Sequence, residues 1–217
     1  GSRGEKKSMQ PFAASSIPLV TLGTFLLWFG WFGFNGFSQL AMGTFDDVNA
    51  ISKIAVNTHL AGAAGTVTGA ALTRLIGGKT DIVMMLNGAL AGLVAITAEP
   101  LTPGPITAMI IGSIGAVIMY YGTKLLENFG LDDVVGAIPV HMFAGIFGTL
   151  VVPLTNADTS FGTQLIGVIS VCVFSFVLSW ITFSTLKSTV GLRISRAAEK
   201  QGTDKAEVGV IAYSIRD

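Results

Sequence analysis

The chain has 217 residues, of which 51% are hydrophobic and only 12% are charged. Soluble domains carry about 25% charged residues, and the mean hydropathy is +0.67, so the composition indicates an integral membrane protein. The formal net charge is zero, which gives no support for nucleic-acid binding. Cys172 is the single cysteine, which excludes an intrachain disulfide and a cysteine-based metal site. No metal and no cofactor are expected.

Six apolar segments divide the chain, and most of them have the ~20 residues that a helix needs to cross a bilayer. They cover 16–42, 53–76, 82–98, 105–126, 134–154 and 161–186. The breaks between them are rich in Gly, Pro, Asn and Asp, which favour turns. We therefore predict an all-α membrane bundle of six transmembrane helices over residues 16–188. A cytoplasmic N-terminal segment at 1–15 and a cytoplasmic tail at 189–217 flank it.

The distribution of basic residues predicts which side each loop faces. With six spans, both ends of the chain lie on the same side, and twelve of the thirteen Lys and Arg residues fall there, with Lys53 opposite. The twelve are Arg3, Lys6, Lys7, Arg74, Lys79, Lys124, Lys187, Arg193, Arg196, Lys200, Lys205 and Arg216. Because basic residues concentrate in cytoplasmic loops, both ends are expected in the cytoplasm.

The fifth segment contains a histidine, His141, inside an apolar run. An ionisable group within a membrane span is costly and marks a candidate site, and an imidazole can donate from one ring nitrogen while accepting at the other. Asp132 and Asp133 stand where helix N-caps stand, so we expect a helix that begins just before Val134, with His141 roughly 10 Å along it. We expect Pro139 to free a carbonyl in the preceding turn. The alternative is a packing histidine bonded to a neighbouring carbonyl.

The first segment carries an aromatic run, Trp28 to Phe34, followed by Asn35 and Ser38. Aromatic residues near a membrane boundary usually form an interfacial belt. Aromatic ring faces also attract cations, and a hydroxyl can accept a hydrogen bond from an ammonium-type donor. A belt and a cation vestibule are equally compatible with this run.

The second segment combines small residues with a second histidine. Gly62, Gly65 and Gly69 follow a spacing that lets helix backbones approach closely, which favours bundle packing over a narrow pore wall. His59 stands near the expected start of this helix. Capping or packing is the first interpretation of His59, and a site is the second.

Several long motifs resemble the ammonium transporter family (Amt/Mep/Rh), in the order that the family has them and over nearly the whole chain. They are WFGWFGFNG at 28–36, VNT at 56–58, NGALAGLVAITA at 87–98, DDVVGAIPVH at 132–141 and the tail pattern from Glu199 through Gly202, Thr203 and Asp204 to Ala212 and Tyr213. The family's subunits have eleven helices built from two inverted halves and assemble as homotrimers. This chain resembles the second half, helices six to eleven.

The resemblance implies roles for individual residues. His141 matches the second of two histidines that face each other in the pore, the first belonging to the complementary N-terminal half. Phe34 matches a pore-gating phenylalanine, and Ser38 matches the serine of the outer ammonium-recruitment site, where we also place Trp31. Phe37 departs from the family pattern, which has small residues before the serine. It would either narrow the vestibule or turn outward.

The resemblance implies ammonium or ammonia transport across the cytoplasmic membrane, with ammonium deprotonated before it crosses a hydrophobic pore, and no enzymatic activity. A PII-type regulatory protein is an expected partner at the cytoplasmic tail. The alternatives are an ammonium sensor with little flux, and a fragment or split subunit that is inactive alone. In a lone half, we expect polar groups of Ser38, Asn57, Asn87 and His141 to face lipid or empty space, which is unfavourable.

Overall fold

The computed structural model describes residues 14–212, and all regular structure in that range is helical. The α-helices are α1 (Ile17–Phe37), α2 (Phe45–Gly77), α3 (Ile82–Thr97), α4 (Pro105–Asn128), α5 (Ala144–Val151), α6 (Phe161–Thr189) and α7 (Arg196–Gln201). A π-helix at Ile138–Phe143 continues directly into α5, and a 3-10 turn at Val152–Leu154 follows it. A second π-helix covers Asp204–Val208. The basic residues Arg3, Lys6, Lys7 and Arg216, together with Tyr213, lie outside the described residues.

Within the described range, α1, α4 and α6 are long and apolar enough to cross a membrane. Two further apolar helices, Ile82–Thr97 and Ile138–Leu154, are shorter. The remaining long helix, α2, is longer than its predicted segment because it begins in the polar sequence before Lys53. Each predicted apolar segment thus corresponds to one helix or, for the fifth, to a continuous series of helical turns.

Local side chains explain where these helices begin and end. Ser16 caps α1, and its hydroxyl accepts from the amide of Leu19. Thr44 and Asp47 form a reciprocal capping box at the start of α2. That helix ends at Gly78, whose φ of 74° suits glycine because it has no Cβ.

The residues fall into two compact units, one covering Ser16–Leu165 and the other the chain from Ile166 onward. In the first unit, α2, α3 and α4 form the centre. Its core consists mainly of small and aliphatic side chains, among them Ala61, Ala95, Ile96, Ala108 and Ile111 in one cluster and Ala91, Met119, Val140 and Ala144 in another. In the second unit, no side chain of α6 is buried.

Glycines bring the central helices into direct backbone contact. A Cβ on Gly65 would collide with the carbonyl of Gly88, and a Cβ on Gly92 would collide with the carbonyl of Ala61. The approach at Gly69 is less close, with the carbonyl of Met84 at 3.0 Å from an ideal Cβ. These glycines serve helix packing between α2 and α3, which agrees with the packing interpretation of the small residues.

The fifth segment begins later than the sequence predicts. Gly136 has a φ of 73°, a left-handed conformation that a helix from Val134 would not allow. The carboxylate of Asp133 instead accepts from the amides of Ala137 (2.9 Å) and Ile138 (2.7 Å). The predicted start just before Val134 is therefore wrong, and so is the expected depth of about 10 Å for His141.

Pro139 also has a different role from the one predicted. It lies in the first turn of the π-helix that begins at Ile138. Amide groups in a first turn have no intrahelical acceptor, so a proline there removes no helical hydrogen bond. The carbonyl four residues before Pro139 is that of Val135, and it accepts from Asn87 Nδ2, but it lies before the first helical turn.

Candidate functional site: an aromatic surface with one histidine

Trp31, Phe34 and His141 form one aromatic cluster. The indole of Trp31 lies 6.5 Å from the imidazole of His141 between ring centroids, with the ring planes 15° apart. The phenyl ring of Phe34 lies 5.9 Å from the same indole at an angle of 53°. The cluster joins α1 to the first turn of the fifth segment, so two distant parts of the sequence meet at one place.

The Trp31 side chain is fixed by a hydrogen bond to α3. Its Nε1–H donates to Thr97 Oγ1 at 2.7 Å, and the Thr97 hydroxyl donates to the carbonyl of Leu93 at 2.7 Å. Trp31 and Thr97 are both half-buried. Thr97 was not among the predicted site residues, because the sequence does not show that its hydroxyl meets an indole 66 residues away.

Ser38 continues this surface one turn beyond Phe34. Because Ser38 follows Trp31 by seven residues, about two helical turns, the two share a side of the helix axis. The Ser38 hydroxyl donates to the carbonyl of Phe34 at 2.8 Å. Its hydrogen is thereby committed, whereas its oxygen lone pairs remain available to accept from a ligand. Ser38 and Phe34 are exposed.

Phe37 is also exposed, with 77% of its side chain accessible. Its ring lies back along the helix over Gly33, 3.4 Å from where a Cβ of that residue would be. Together with Gly30, Phe34, Ser38 and Leu40, these residues line an open groove of about 490 Å³. Phe37 and Ser38 thus line the same open groove.

His141 is exposed in this chain rather than buried. It lies within the π-helix Ile138–Phe143, a rare helical form that is often found at functional sites. The neighbouring Val140 is 2% exposed, so the segment is anchored by that residue while the imidazole remains accessible. An exposed imidazole next to exposed aromatic rings offers a surface on which a second set of side chains can complete a site.

The segment before His141 is held by Asp133 and Asn87. Asp133 caps its first amides, and Asn87 Nδ2 donates to the carbonyl of Val135 at 3.1 Å. A Cβ on Gly136 would lie 2.7 Å from the same Asn87 nitrogen. Asp132, the other predicted capping residue, also has an interaction partner. These contacts fix the turn that leads into the π-helix.

The second histidine, His59, belongs to a different aromatic cluster. Its imidazole lies 5.5 Å from the ring of Trp28 and 6.2 Å from that of Phe32. It stands well inside α2, which begins at Phe45, so the capping interpretation is wrong. His59 is exposed and its ring contacts are of the same kind as those of His141, so these contacts alone do not distinguish packing from a site.

Three of the four polar residues expected to face lipid or empty space have hydrogen-bond partners within the chain, and for Ser38 the partner is the Phe34 carbonyl of its own helix. Asn57 is 3% exposed and donates to the carbonyls of Pro100 (2.9 Å) and Pro103 (2.8 Å). Asn87 donates to Val135, as described above. The expectation is therefore wrong for the asparagines. Ser38 and His141 are exposed, as expected.

Comparisons with known proteins agree with these motifs. A sequence model of the Ammonium Transporter Family matches residues 1–213. The chain is 41% identical over 219 residues to the ammonium transporter Amt2 of Archaeoglobus fulgidus, in an alignment that covers 91% of this chain and 46% of that protein. It is 35% identical over 211 residues to a putative ammonium transporter of Synechocystis, covering 95% and 48% respectively. The chain spans about half the length of these curated relatives.

Solved structures show the same relationship. A protein described as a sensor Amt protein superposes with a TM-score of 0.81 at 34% identity, over 88% of this chain and 49% of the other. Mep2 of Candida albicans superposes with a TM-score of 0.79 at 27% identity, over 92% of this chain and 48% of the other. The family match, the relatives and the helical fold agree, and this chain is a multi-pass membrane protein that belongs to the Ammonium Transporter Family.

Proposed function

We propose that this chain supplies one half of a pore for ammonium or ammonia across the cytoplasmic membrane. The observation that carries the proposal is the surface formed by Trp31, Phe34, Ser38 and His141. The indole of Trp31, which can attract a cation, contacts the imidazole of His141 and the ring of Phe34. The Ser38 hydroxyl follows one turn later, bonded to the Phe34 carbonyl. The relatives are named as transporters, and the proposed role is transport rather than enzymatic catalysis.

Recruitment of ammonium follows from the chemistry of Trp31 and Ser38. The face of an indole is the best aromatic site for a cation. Ser38 can accept a hydrogen bond from an ammonium N–H because its own hydrogen is donated to the Phe34 carbonyl. Both contacts partly offset the loss of water around the cation. The hydrogen bond to Ser38 would discriminate ammonium from potassium, which has no hydrogen to donate, whereas the indole face attracts either cation.

Passage beyond this point favours the neutral molecule. An isolated cation in an apolar pore is very costly, so ammonium gives its proton to water at the outer mouth before transit. Ammonia then passes the ring of Phe34, which acts as the gate. The imidazole of His141 then exchanges hydrogen bonds with ammonia, since a ring nitrogen can donate or accept. We propose that a second imidazole from the complementary N-terminal half faces it.

The exposed surface supports the need for a complementary half. Ser38, Phe34 and His141 are accessible in this chain, and a polar group left against lipid is unfavourable. A second set of helices, inverted relative to these, would cover this surface and enclose the pore. We propose six membrane spans in this chain as one half of an eleven-helix inverted-repeat subunit, and a homotrimer of complete subunits.

The proposed orientation places both ends of the chain in the cytoplasm, because twelve of the thirteen basic residues then lie on that side. The tail after α6 carries Arg196, Lys200 and Lys205 there. We propose it as the region where a PII-type regulatory protein acts. No nucleic acid is proposed as a partner.

A sensor is the second candidate function. It is favoured by the similarity to the solved sensor Amt protein and by Phe37, whose ring borders the groove next to Ser38. In that case the same surface would bind ammonium and the tail would pass on the signal, with little flux.

The experiment isolates the assembly that contains this chain from its native membrane, using an affinity tag on the tail. Native mass spectrometry gives its subunits, and reconstitution into liposomes gives the pH change or current triggered by an ammonium gradient. We expect a trimeric assembly with a complementary half and ammonium-dependent flux. A stable monodisperse six-helix monomer would contradict the assembly proposal, and a trimeric complex that binds ammonium without flux would favour the sensor.

A further inference from the structure

Thr97, at the end of α3, connects that helix to the Trp31 side chain of α1. It is the last residue of that helix, and its hydroxyl makes two hydrogen bonds of 2.7 Å, one donated to Leu93 and one accepted from Trp31. Donation to the backbone fixes the hydroxyl rotor, so a lone pair is directed at the indole. Thr97 is therefore a fixed acceptor for the Trp31 side chain.

The end of α3 is itself anchored on both sides. Glu99 accepts from Asn156 Nδ2 at 2.8 Å and from the amides of Leu101 and Thr102. Asn57 on α2 holds the following loop through two carbonyls, as described above. Because both sides of the loop are tied to neighbouring elements, the Thr97 hydroxyl has a defined position relative to α2 and to the end of the fifth segment.

Trp28 provides a contrast on the same helix. Its Nε1 is buried and has no hydrogen-bond partner, so packing alone places that indole. Trp31, one turn later, has a directional bond that limits rotation of its ring. The plane of the Trp31 ring lies within 15° of the His141 imidazole, and the bond to Thr97 fixes the ring that makes this contact.

We propose that Thr97 is a positioning residue for the pore. Its hydroxyl holds the indole of Trp31 parallel to the imidazole of His141, and it thereby sets how well ammonium is distinguished from a substituted ammonium. Thr97 acts through Trp31 and need not touch the permeating molecule. This inference rests on the proposed function for its effect on transport, whereas the geometric coupling of Thr97, Trp31 and His141 can be measured without transport.

The geometric test uses the three tryptophans and two histidines of the chain. In the full native assembly, with this chain ¹⁵N- and ¹³C-labelled, the indole N–H resonance of Trp31 is assigned with Trp31→Phe. We expect Thr97→Val to shift that resonance upfield and to move the Cε1–H resonance of His141, while that of His59 stays in place. Thr97→Ser, which keeps the hydroxyl, restores both. An unmoved His141 resonance in Thr97→Val would overturn the proposal.

The transport test compares flux of ammonium and methylammonium in liposomes. Thr97→Val should lower the ammonium-to-methylammonium ratio by about fivefold, the factor for loss of one neutral hydrogen bond, and Thr97→Ser should preserve it. Thr66→Val is the matched control. Like Thr97, Thr66 is half-buried, and its hydroxyl donates to the carbonyl four residues earlier, that of Gly62, at 2.8 Å. We expect that variant to keep the wild-type ratio.

A double-mutant comparison keeps the inference testable if Thr97→Val assembles poorly. In a Trp31→Phe background, which has no indole donor, Thr97→Ser and Thr97→Val should give the same flux ratio. A Thr97→Val effect that persists there would show that Thr97 acts independently of Trp31, which would overturn the proposal. An unchanged flux ratio for Thr97→Val in the wild-type background, with the indole hydrogen bond lost, would overturn it too. Absence of any wild-type flux with the resonance shifts intact would overturn the proposed function while leaving the positioning geometry supported.

Discussion

The indole of Trp31 lies nearly parallel to the imidazole of His141, with the ring centroids 6.5 Å apart. This contact connects α1, which also carries Ser38, with the π-helix that carries His141. Trp31, which we place in the proposed recruitment site, is therefore in direct ring contact with the proposed pore histidine. That ring is in turn held by Thr97, so the relative placement of the two groups depends on three helical elements.

The close approach of α2 and α3 predicts a severe effect of Gly65→Ala. The new Cβ would meet the backbone carbonyl of Gly88, and a backbone atom cannot move away as the end of a flexible side chain can. Overpacking typically costs about 1–3 kcal/mol. We expect thermal unfolding in detergent, followed by circular dichroism, to occur at a lower temperature than in the wild type.

Gly23→Ala is the matched control for that substitution. Gly23 also lies in a helix, and nothing approaches within 4 Å of its Cβ position. Alanine favours a helix over glycine by about 1 kcal/mol, so the control should be neutral or slightly stabilising. Equal unfolding temperatures for Gly65→Ala and Gly23→Ala would contradict the packing of these helices.

Phe37→Ala tests whether the bulky residue before Ser38 obstructs recruitment. The ring of Phe37 lies back over Gly33, whereas the Ser38 hydroxyl is bonded to the Phe34 carbonyl. We therefore expect ammonium flux in liposomes to change by less than about twofold, the range of a surface substitution. A many-fold rise in flux would show that the ring blocks the site and would strengthen the sensor interpretation.

The tail after α6 should respond to acid through Asp204. The pKa of this carboxyl lies below its ordinary value of 3.8, first because the backbone amide of Ala212 donates to it, at 3.0 Å. A carboxyl with a lowered folded-state pKa stabilises the fold above its unfolded value, and that contribution is lost as the pH falls through the folded-state pKa. The contact between Asp204 and Ala212 should therefore persist at pH 3.8.

The measurement follows the amide resonance of Ala212 as the pH is lowered from about 5. We expect a midpoint below 3.8 and no such transition in Asp204→Asn, which cannot ionise. A midpoint at or above 3.8 would mean that the Ala212 amide does not stabilise the charged carboxylate.

Hydropathy and small-residue spacing predict the main helices well. The predicted segments at 82–98 and 105–126 differ from α3 and α4 by at most two residues at any end, because the turn residues on either side set those limits directly. The later start of the fifth segment depends on the left-handed conformation of Gly136. A glycine in a sequence does not reveal the sign of its φ, so this boundary required the structure.

The candidate site is less predictable than the helices. The spacing of Trp31, Phe34 and Ser38 follows from helical periodicity. The contact of Trp31 with His141, 110 positions further on, does not. Thr97 was missed for the same reason, since its partner is distant in sequence. The capping interpretation of His59 was wrong, because the sequence could not show that α2 begins as early as Phe45. The sequence also could not show that this histidine lies beside two aromatic rings.

The most direct test of the account compares His141→Ala with His59→Ala in the reconstituted native assembly. Loss of the exposed His141 ring removes a single aromatic contact of the kind worth about 0.5–1.5 kcal/mol, so unfolding should shift by only a few degrees, at about 2–4 °C per kcal/mol. In His141→Ala, the ammonium-triggered current or pH change should differ from that of the wild type by roughly tenfold or more, or the ion selectivity should be altered. His59→Ala should conduct as the wild type does. Normal conduction and selectivity in His141→Ala, together with a much lower unfolding temperature, would contradict the account by showing that this histidine is structural.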